Sequence, residues 1–412
     1  MSLLPVAEAQ ARLLNSATPL HRFESVPLDM AVGRVLARDL AARLTQPPFD
    51  ASAMDGYALR FEDAATPGSE LQIIGASAAG HAFEGTVGKG ETVRIFTGAP
   101  VPAGADSVLL QEDAGRLEGD RIRTTYPIRQ GQHIRPRGQD FLEDEVVLSA
   151  GTVMDFSRLT VAAAMNHPAL DVYRRPLVAI LATGDELVVP GSEPGASQIV
   201  ASNTFGIAAL ARNAGAHVLD LGIVPDDSDE ITAAIGRARV AKADIIITLG
   251  GASVGDHDLV QATMIAAGMQ LDFWRIAMRP GKPLMVGSLG ETHVLGLPGN
   301  PVSSLVCGLL FLEPLIRKLA SLPPVKRDGV AKAAVPFAAN DQRQDYMRAT
   351  LTKTADGGWL VEPFSRQDSS MMKVFSRADC LVVRPPHAPE LAVGSPCPVI
   401  VLRPDLLERF CF

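Results

Sequence analysis

Between Leu249 and Pro301 the chain sets three glycine turns among charged residues, reading TLGGASVGDHD, FWRIAMRPGKP and GLPGNP. The first follows Asp244-Ile245-Ile246-Ile247-Thr248-Leu249, an apolar β-branched run that predicts a strand buried on both faces. At its carboxyl end Gly250, Gly251 and Gly255 can take positive φ and bring backbone N–H groups close to a phosphate or another oxyanion. Asp256, His257 and Asp258 come next. Carboxylates beside such a nest repel a bare phosphate, so a divalent cation between the two is the chemistry this order suits, with Mg²⁺ the natural oxygen-ligated ion. The same spacing also serves a plain strand-to-helix turn with solvated acids.

The second turn, Arg279-Pro280-Gly281-Lys282-Pro283, puts two fixed positive charges on a rigid bend, with Arg275 just before it. Proline lowers the entropy lost on ordering the turn, and arginine can grip a tetrahedral oxyanion through two N–H groups. The third turn precedes Val302-Ser303-Ser304-Leu305-Val306-Cys307, which reads as a helix with Ser303 and Ser304 near its N-terminus, where free N–H groups favour anions.

The elements that must position these turns are legible around them. Leu177–Ala182 opens an α/β series, with a helix expected over 204–214, a strand over 217–223, a helix near 230–241 and then the strand before Gly250. Alternation predicts a parallel sheet whose ligand lies over the carboxyl ends of its strands. Asp185 and Glu186 in TGDE, Asp226 in PDD and Asp258 all fall at such ends. Four carboxylates would converge there, as metal ligands or as turn acids and helix caps.

Upstream, 6–14 and 29–37 carry helical patterning, Pro47-Pro48 closes that region, and residues 58–140 show short apolar runs between Gly, Pro and Asp clusters, as in an all-β unit. The segment 143–165 returns to a helix-containing pattern expected to pack on the N-terminal helices, because neither piece alone has enough apolar surface. Pro323-Pro324 marks a linker to a last segment that reads as a small β-barrel or sandwich.

Composition bounds the partners. The chain has 412 residues, 47% hydrophobic and 20% charged, as expected for an ordinary globular protein of several domains. A formal charge of −8 argues against nucleic acid or an anionic membrane as main partner. Cysteines at 307, 380, 397 and 411 show no metal-finger spacing and suit reduced thiols in a cytoplasmic protein. The N-terminus lacks a leader pattern, and no stretch reaches the ~18 apolar residues a spanning helix needs.

Six ordered motifs resemble the molybdopterin molybdenumtransferases of the MoeA type, related to the catalytic domain of gephyrin. They are PPFDASAMDGYAL (47–59), IFTGAPVPAGADSVL (95–109), TGDEL (183–187), GGASVGDHD (250–258), RPGKP (279–283) and GLPGNPVS (296–303). The resemblance implies a discontinuous N-terminal domain at 1–46 and 140–174, an inserted β domain at 47–139, an α/β molybdopterin-binding domain at 175–324 and a C-terminal β-barrel at 325–412. It implies a homodimer in which the MDGYA region of one subunit, with Asp55 and Thr97, faces the carboxylates of the other. The implied reaction inserts molybdate into adenylylated molybdopterin with Mg²⁺ and releases AMP. Asp185, Glu186, Asp226 and Asp258 would hold the metal, and Asp55, Glu186, Asp226, Asp258 and Lys282 would serve the chemistry. Thr97, Thr183, Gly250, Gly251, Ser253, Arg275, Arg279, Pro283, Ser303, Arg348 and Ser370 would bind substrate. Expected partners are a molybdopterin adenylyltransferase and acceptor molybdoenzymes. The sequence departs from the family where many members carry lysine in place of Arg275 and Arg279, and around Arg366–Met372, next to Ser370. Rival readings are an adenylyltransferase, which has GGTG in place of GGASVGD, and a gephyrin-like scaffold, which brings a long linker that is missing here.

Overall fold

The computed structural model describes residues 3–250 and 259–407, arranged as two compact units: Phe23–Val172, and Met1–Arg22 together with Tyr173–Phe412.

The first unit holds a six-stranded sheet in the order 107–110, 56–59, 91–95, 70–77, 121–124, 114–117. Its alternating pattern puts Tyr57, Leu59, Leu71 and Ile122 on one face and Ala58, Ile95 and Val108 on the other, each covered by its own apolar cluster. Gly56 sits where its strand presses on the next: a Cβ there would lie 1.9 Å from the Leu109 carbonyl oxygen. A third cluster gathers Leu36, Leu40, Phe141, Met154, Met165 and Leu170 from short segments and the helix Phe156–Ala164. Asp155 caps that helix through the Arg158 N–H at 3.0 Å.

The helix expected over 29–37 does not form beyond one 3-10 turn, Leu28–Met30. Gly33 takes φ 70°, and the N–H groups of Gly33 and Leu36 donate across to the carbonyls of Met154 and Thr152 at 2.8 and 2.9 Å, so they are not available to a helical ladder. Likewise 143–148 contributes the strand Val146–Leu148, paired with Leu40–Ala41.

In the other unit the α/β sheet runs in the order 217–224, 177–183, 245–249, 292–297, 283–289, 270–275. The first four strands are parallel, as the alternation predicts. The sheet then continues through two antiparallel pairings, 292–297 with 283–289 and 283–289 with 270–275. The cause is local: Gly290 at φ 64° and Glu291 form a two-residue hairpin between Leu289 and Thr292, which can only return the chain antiparallel. The helices Asn203–Asn213 and Ser228–Val240 lie within a few residues of their expected positions. A helix from Pro301 passes through a π turn at Gly308–Leu312 and continues to Leu319.

The helix Val6–Ser16 also lies in this unit. Val6, Ala9 and Leu13 share one buried cluster with Ile207, Leu312, Leu315 and Ile316. Its apolar stripe therefore meets the α/β core, where the sequence reading had placed it with 140–174. Beyond Pro324, strands 328–333, 344–353, 359–363, 380–384 and 396–401 pair around a closed ring, the expected barrel, over a core of Val361, Val382, Val399 and Val401.

Both tryptophans, Trp274 and Trp359, belong to the second unit, so their fluorescence reports its unfolding alone. Leu13→Ala removes a side chain that is 1% exposed and should cost about 3 kcal/mol in the tryptophan-monitored urea transition. An unchanged transition would place this helix elsewhere.

Candidate active site

Three strands of the α/β sheet end side by side, with Ala182, Leu249 and Leu297 in register. The chain must turn at once after each. Gly250 takes φ 100°, and a Cβ there would stand 2.7 Å from the Thr183 carbonyl oxygen. Only glycine fits, and the bare backbone is left facing the space above the sheet. Thr183, 3% exposed, keeps a buried hydroxyl without a partner among the described residues. Gly184, at φ 145°, swings the chain so that Asp185 and Glu186 follow as exposed acids, and the Asp226 N–H donates to Asp185 Oδ1 at 3.2 Å.

These residues border a cavity of about 920 Å³. Of the expected site residues, Thr183, Glu186, Asp226, Gly250, Pro283 and Ser370 line it. Partial burial, then the charges of Asp185 and Glu186, hold the Asp226 carboxyl above its ordinary value. Among the described residues no three ligands stand close enough to hold a metal by themselves. Asp258, with Gly251 and Ser253, lies outside the described residues.

The cationic side is built differently. Lys282 is half-buried and has no carboxylate partner among the described residues. Arg348 is 1% exposed; its Nη2 donates to the Asp368 carbonyl at 2.9 Å, its Nε has no partner among the described residues, and burial lowers its pKa. Ser303 is buried in the helix Pro301–Cys307, whose Val302 N–H donates to the Ser369 carbonyl at 3.0 Å. Ser370 donates through both N–H and hydroxyl to Asp368 Oδ1, at 2.8 and 2.6 Å. Arg275 lies over the Trp274 ring at 4.5 Å with its Nε buried and without a partner among the described residues. Arg279 is forked onto Asp345. Lys282, Arg348, Ser303, Arg275 and Arg279 are not in the wall of the 920 Å³ cavity.

Asp55 and Thr97 belong to the other unit, and there they meet: Asp55 Oδ1 accepts from the Thr97 N–H and hydroxyl, both at 2.7 Å. Those two bonds, the backbone one foremost, hold the Asp55 carboxyl below its ordinary value. Arg94 covers Tyr57 and Phe96 nearby, 5.1 and 4.8 Å from their ring centres.

Sequence reasoning missed part of the cavity wall. A two-stranded ribbon, Leu187–Val188 with Ile199–Val200, forms one side, and Asn203 Nδ2 ties the opening of the next helix to the Gly299 carbonyl at 2.7 Å. The cap-type pair Ser202-Asn203 ahead of a helical pattern was the available signal.

Asp226 offers a test with a definite sign. A pKa raised above 3.8 means that the native protein binds more protons than the unfolded chain, so this carboxyl weakens folding as pH climbs through its native pKa and above. Asp226→Asn should therefore raise thermal stability at neutral pH, by at most about 1 kcal/mol because the group is largely solvated, and give no gain in acid. Thermal unfolding at both pH values reads this directly; a gain that persists in acid would remove the electrostatic cause.

The description of the MoeA N-terminal region (domain I and II) matches residues 4–166, a probable molybdopterin binding domain matches 179–318, and the MoeA C-terminal region (domain IV) matches 330–402. A molybdopterin molybdenumtransferase of Haemophilus influenzae is 33% identical over 395 residues, covering 95% of this chain and 97% of the relative. One from Nostoc is 39% identical over 306 residues, covering 73% and 70%. Among solved structures, a molybdopterin biosynthesis MoeA protein of Pyrococcus horikoshii superimposes with a TM-score of 0.83 at 28% identity, over 98% of this chain and 100% of that one. These matches run along nearly the whole chain, which belongs to the molybdopterin molybdenumtransferase (MoeA) family, transferases of molybdenum cofactor biosynthesis.

Proposed function

We propose that this protein inserts molybdate into adenylylated molybdopterin in a Mg²⁺-dependent reaction that releases AMP. The observation that carries the reading is the meeting of two features at the strand ends: a cluster of acids in which partial burial, then the charges of Asp185 and Glu186, raise the Asp226 carboxyl above its ordinary value, beside Gly250, where any side chain would strike the Thr183 carbonyl.

The acids suit a cation. Asp185 and Glu186 raise the cost of ionising Asp226, and a bound divalent ion would reverse that term. In this reading Asp185, Glu186 and Asp226, with Asp258, hold Mg²⁺, which when bound neutralises charge on a phosphoanhydride. The chain's own groups do the rest. The Thr183 hydroxyl, unpartnered among the described residues, receives a phosphate oxygen beside the Gly250 backbone. Lys282 supplies an uncommitted positive charge for the molybdate dianion, Arg348 a buried one, and Ser303 and Ser370 complete the binding set. Asp55, kept ionised by Thr97, is a fixed negative charge that the same reading assigns to the chemistry. The proposal includes a homodimer, delivery of the adenylate by an adenylyltransferase and transfer of product to cofactor-free molybdoenzymes in the cytoplasm.

The test is AMP release from adenylylated molybdopterin with Mg²⁺, with and without molybdate, followed by activation of a cofactor-free molybdoenzyme. Molybdate-dependent release with activation is expected; tight binding without turnover would overturn the reading. Lys282→Ala should raise KM for molybdate by about tenfold to a hundredfold, as for loss of one charge-assisted contact, with pterin binding unchanged. Unaltered molybdate dependence would remove Lys282 from the site.

A further inference from the structure

The RPGKP turn carries two cations, and the structure treats them oppositely. Met278-Arg279 pairs in parallel with Gln344-Asp345 at the start of the barrel strand Gln344–Lys353, and the Gln344 N–H donates to the Ala277 carbonyl at 2.8 Å. On that pairing the Arg279 guanidinium forks onto Asp345, with Nε on Oδ1 at 2.7 Å and Nη2 on Oδ2. Nη1 reaches Asp341 at 3.3 Å, and Nη2 also reaches Asn340 at 3.4 Å. These acceptors are themselves fixed. Asp345 is 6% exposed, Asn340 donates to the carbonyls of Arg343, Arg384 and Pro385, and Asp341 is held by the N–H and guanidinium of Arg343, which bring its pKa down to about 2.

A dianion approaching Arg279 would therefore meet two ionised carboxylates competing for the same donors. Around the bend the constraint is steric. Gly281 takes φ 109°, and a Cβ there would lie 2.6 Å from Cys307 Sγ and 2.9 Å from Met278 Cε. The Lys282 carbonyl accepts from the Ile276 N–H at 3.1 Å. The turn is thus pinned at Arg279, at Gly281 and at the Lys282 carbonyl, while the Lys282 ammonium has no carboxylate partner among the described residues.

We propose that Arg279 is a positioning residue: it anchors the RPGKP turn to the barrel through Asp345 so that Lys282 presents the charge to the oxyanion, and it does not bind the oxyanion itself. This deepens the molybdate reading and rests on it for the identity of the anion.

The experiment compares Arg279→Gln, Asp345→Asn and the double variant in the full chain, by molybdate titration calorimetry and by hydrogen exchange over 276–283. Anchoring predicts that both single variants weaken molybdate binding about tenfold, that the double variant is no worse than either, and that exchange in the turn rises in all three. If Arg279 were a ligand, Asp345→Asn would free it, and molybdate would bind as well as before or more tightly; that result overturns the proposal. So does unchanged exchange in Asp345→Asn, which needs no molybdate. Should Asp345→Asn fail to fold, Asp341→Asn tests the same network and should move both readouts in the same direction by less. The molybdate reading fails separately, through an unsubstituted protein that releases AMP without regard to molybdate.

Discussion

The candidate site depends on how closely three strand ends crowd together. Thr183, Gly250 and Pro298-Gly299 leave adjacent strands of one sheet at nearly the same level, and the Gly250 position leaves less than a methyl group's room against the Thr183 carbonyl. Gly296 is held in the same way one layer below, where a Cβ would lie 2.8 Å from Met285 Cε and 3.1 Å from Thr248 Oγ1. Side chains larger than hydrogen would push the strands apart, so the close fit and the bare backbone are one constraint. From it follow the bare backbone at Gly250 and the placing of the acids, because Asp185 and Glu186 come directly after a glycine, Gly184, that must itself turn beneath them.

Electrostatics divides that space. Burial alone would make Asp226 reluctant to ionise, and two neighbouring carboxylates add to it, whereas Asp55 in the other unit is drawn the opposite way by two hydrogen bonds. Aspartates expected to serve one reaction are thus prepared differently: the Asp226 carboxyl is harder to ionise than usual, the Asp55 carboxyl easier. The thiols of Cys307 and Cys380 are removed from chemistry by the same physics, since burial pushes both well above the ordinary thiol range and keeps them protonated. Cys307 acts through its size, filling the space under Gly281.

Much of this was legible in the chain because it is local. A β-branched run ending in glycine gives a buried strand with a turn, and the expected helices follow from periodicity; both were found within a few residues of where pattern placed them. What could not be read was set by distant partners. Residues 29–37 have helical periodicity, yet the N–H groups of Gly33 and Leu36 are taken by Met154 and Thr152, more than a hundred positions away. The stripe of the first helix is plain, but periodicity names no recipient, and the recipient is the α/β core. Arg279 read as an anion holder because the turn was seen without Asp345, which arrives from another domain and takes the charge. Asp258, Gly251 and Ser253 lie outside the described residues, so their part rests on motif alone.

Arginine and lysine in one short turn are not duplicates. A guanidinium is planar and fixed in its donor directions, which matches both oxygens of a carboxylate held still by its own surroundings, as Asp345 is. An ammonium is a compact charge with three rotatable donors and imposes little direction. A tetrahedral dianion that must enter, react and leave with different orientations is better met by the second. The turn spends its directional cation on the protein and its adaptable one on the solvent side, and the reverse order would lose on both counts: a lysine at 279 could engage only one oxygen of Asp345 at full strength, and an arginine at 282 would need a new cage of acceptors to hold its plane. On the proposed roles, the difference between the two side chains sorts structure from ligand binding within a single bend.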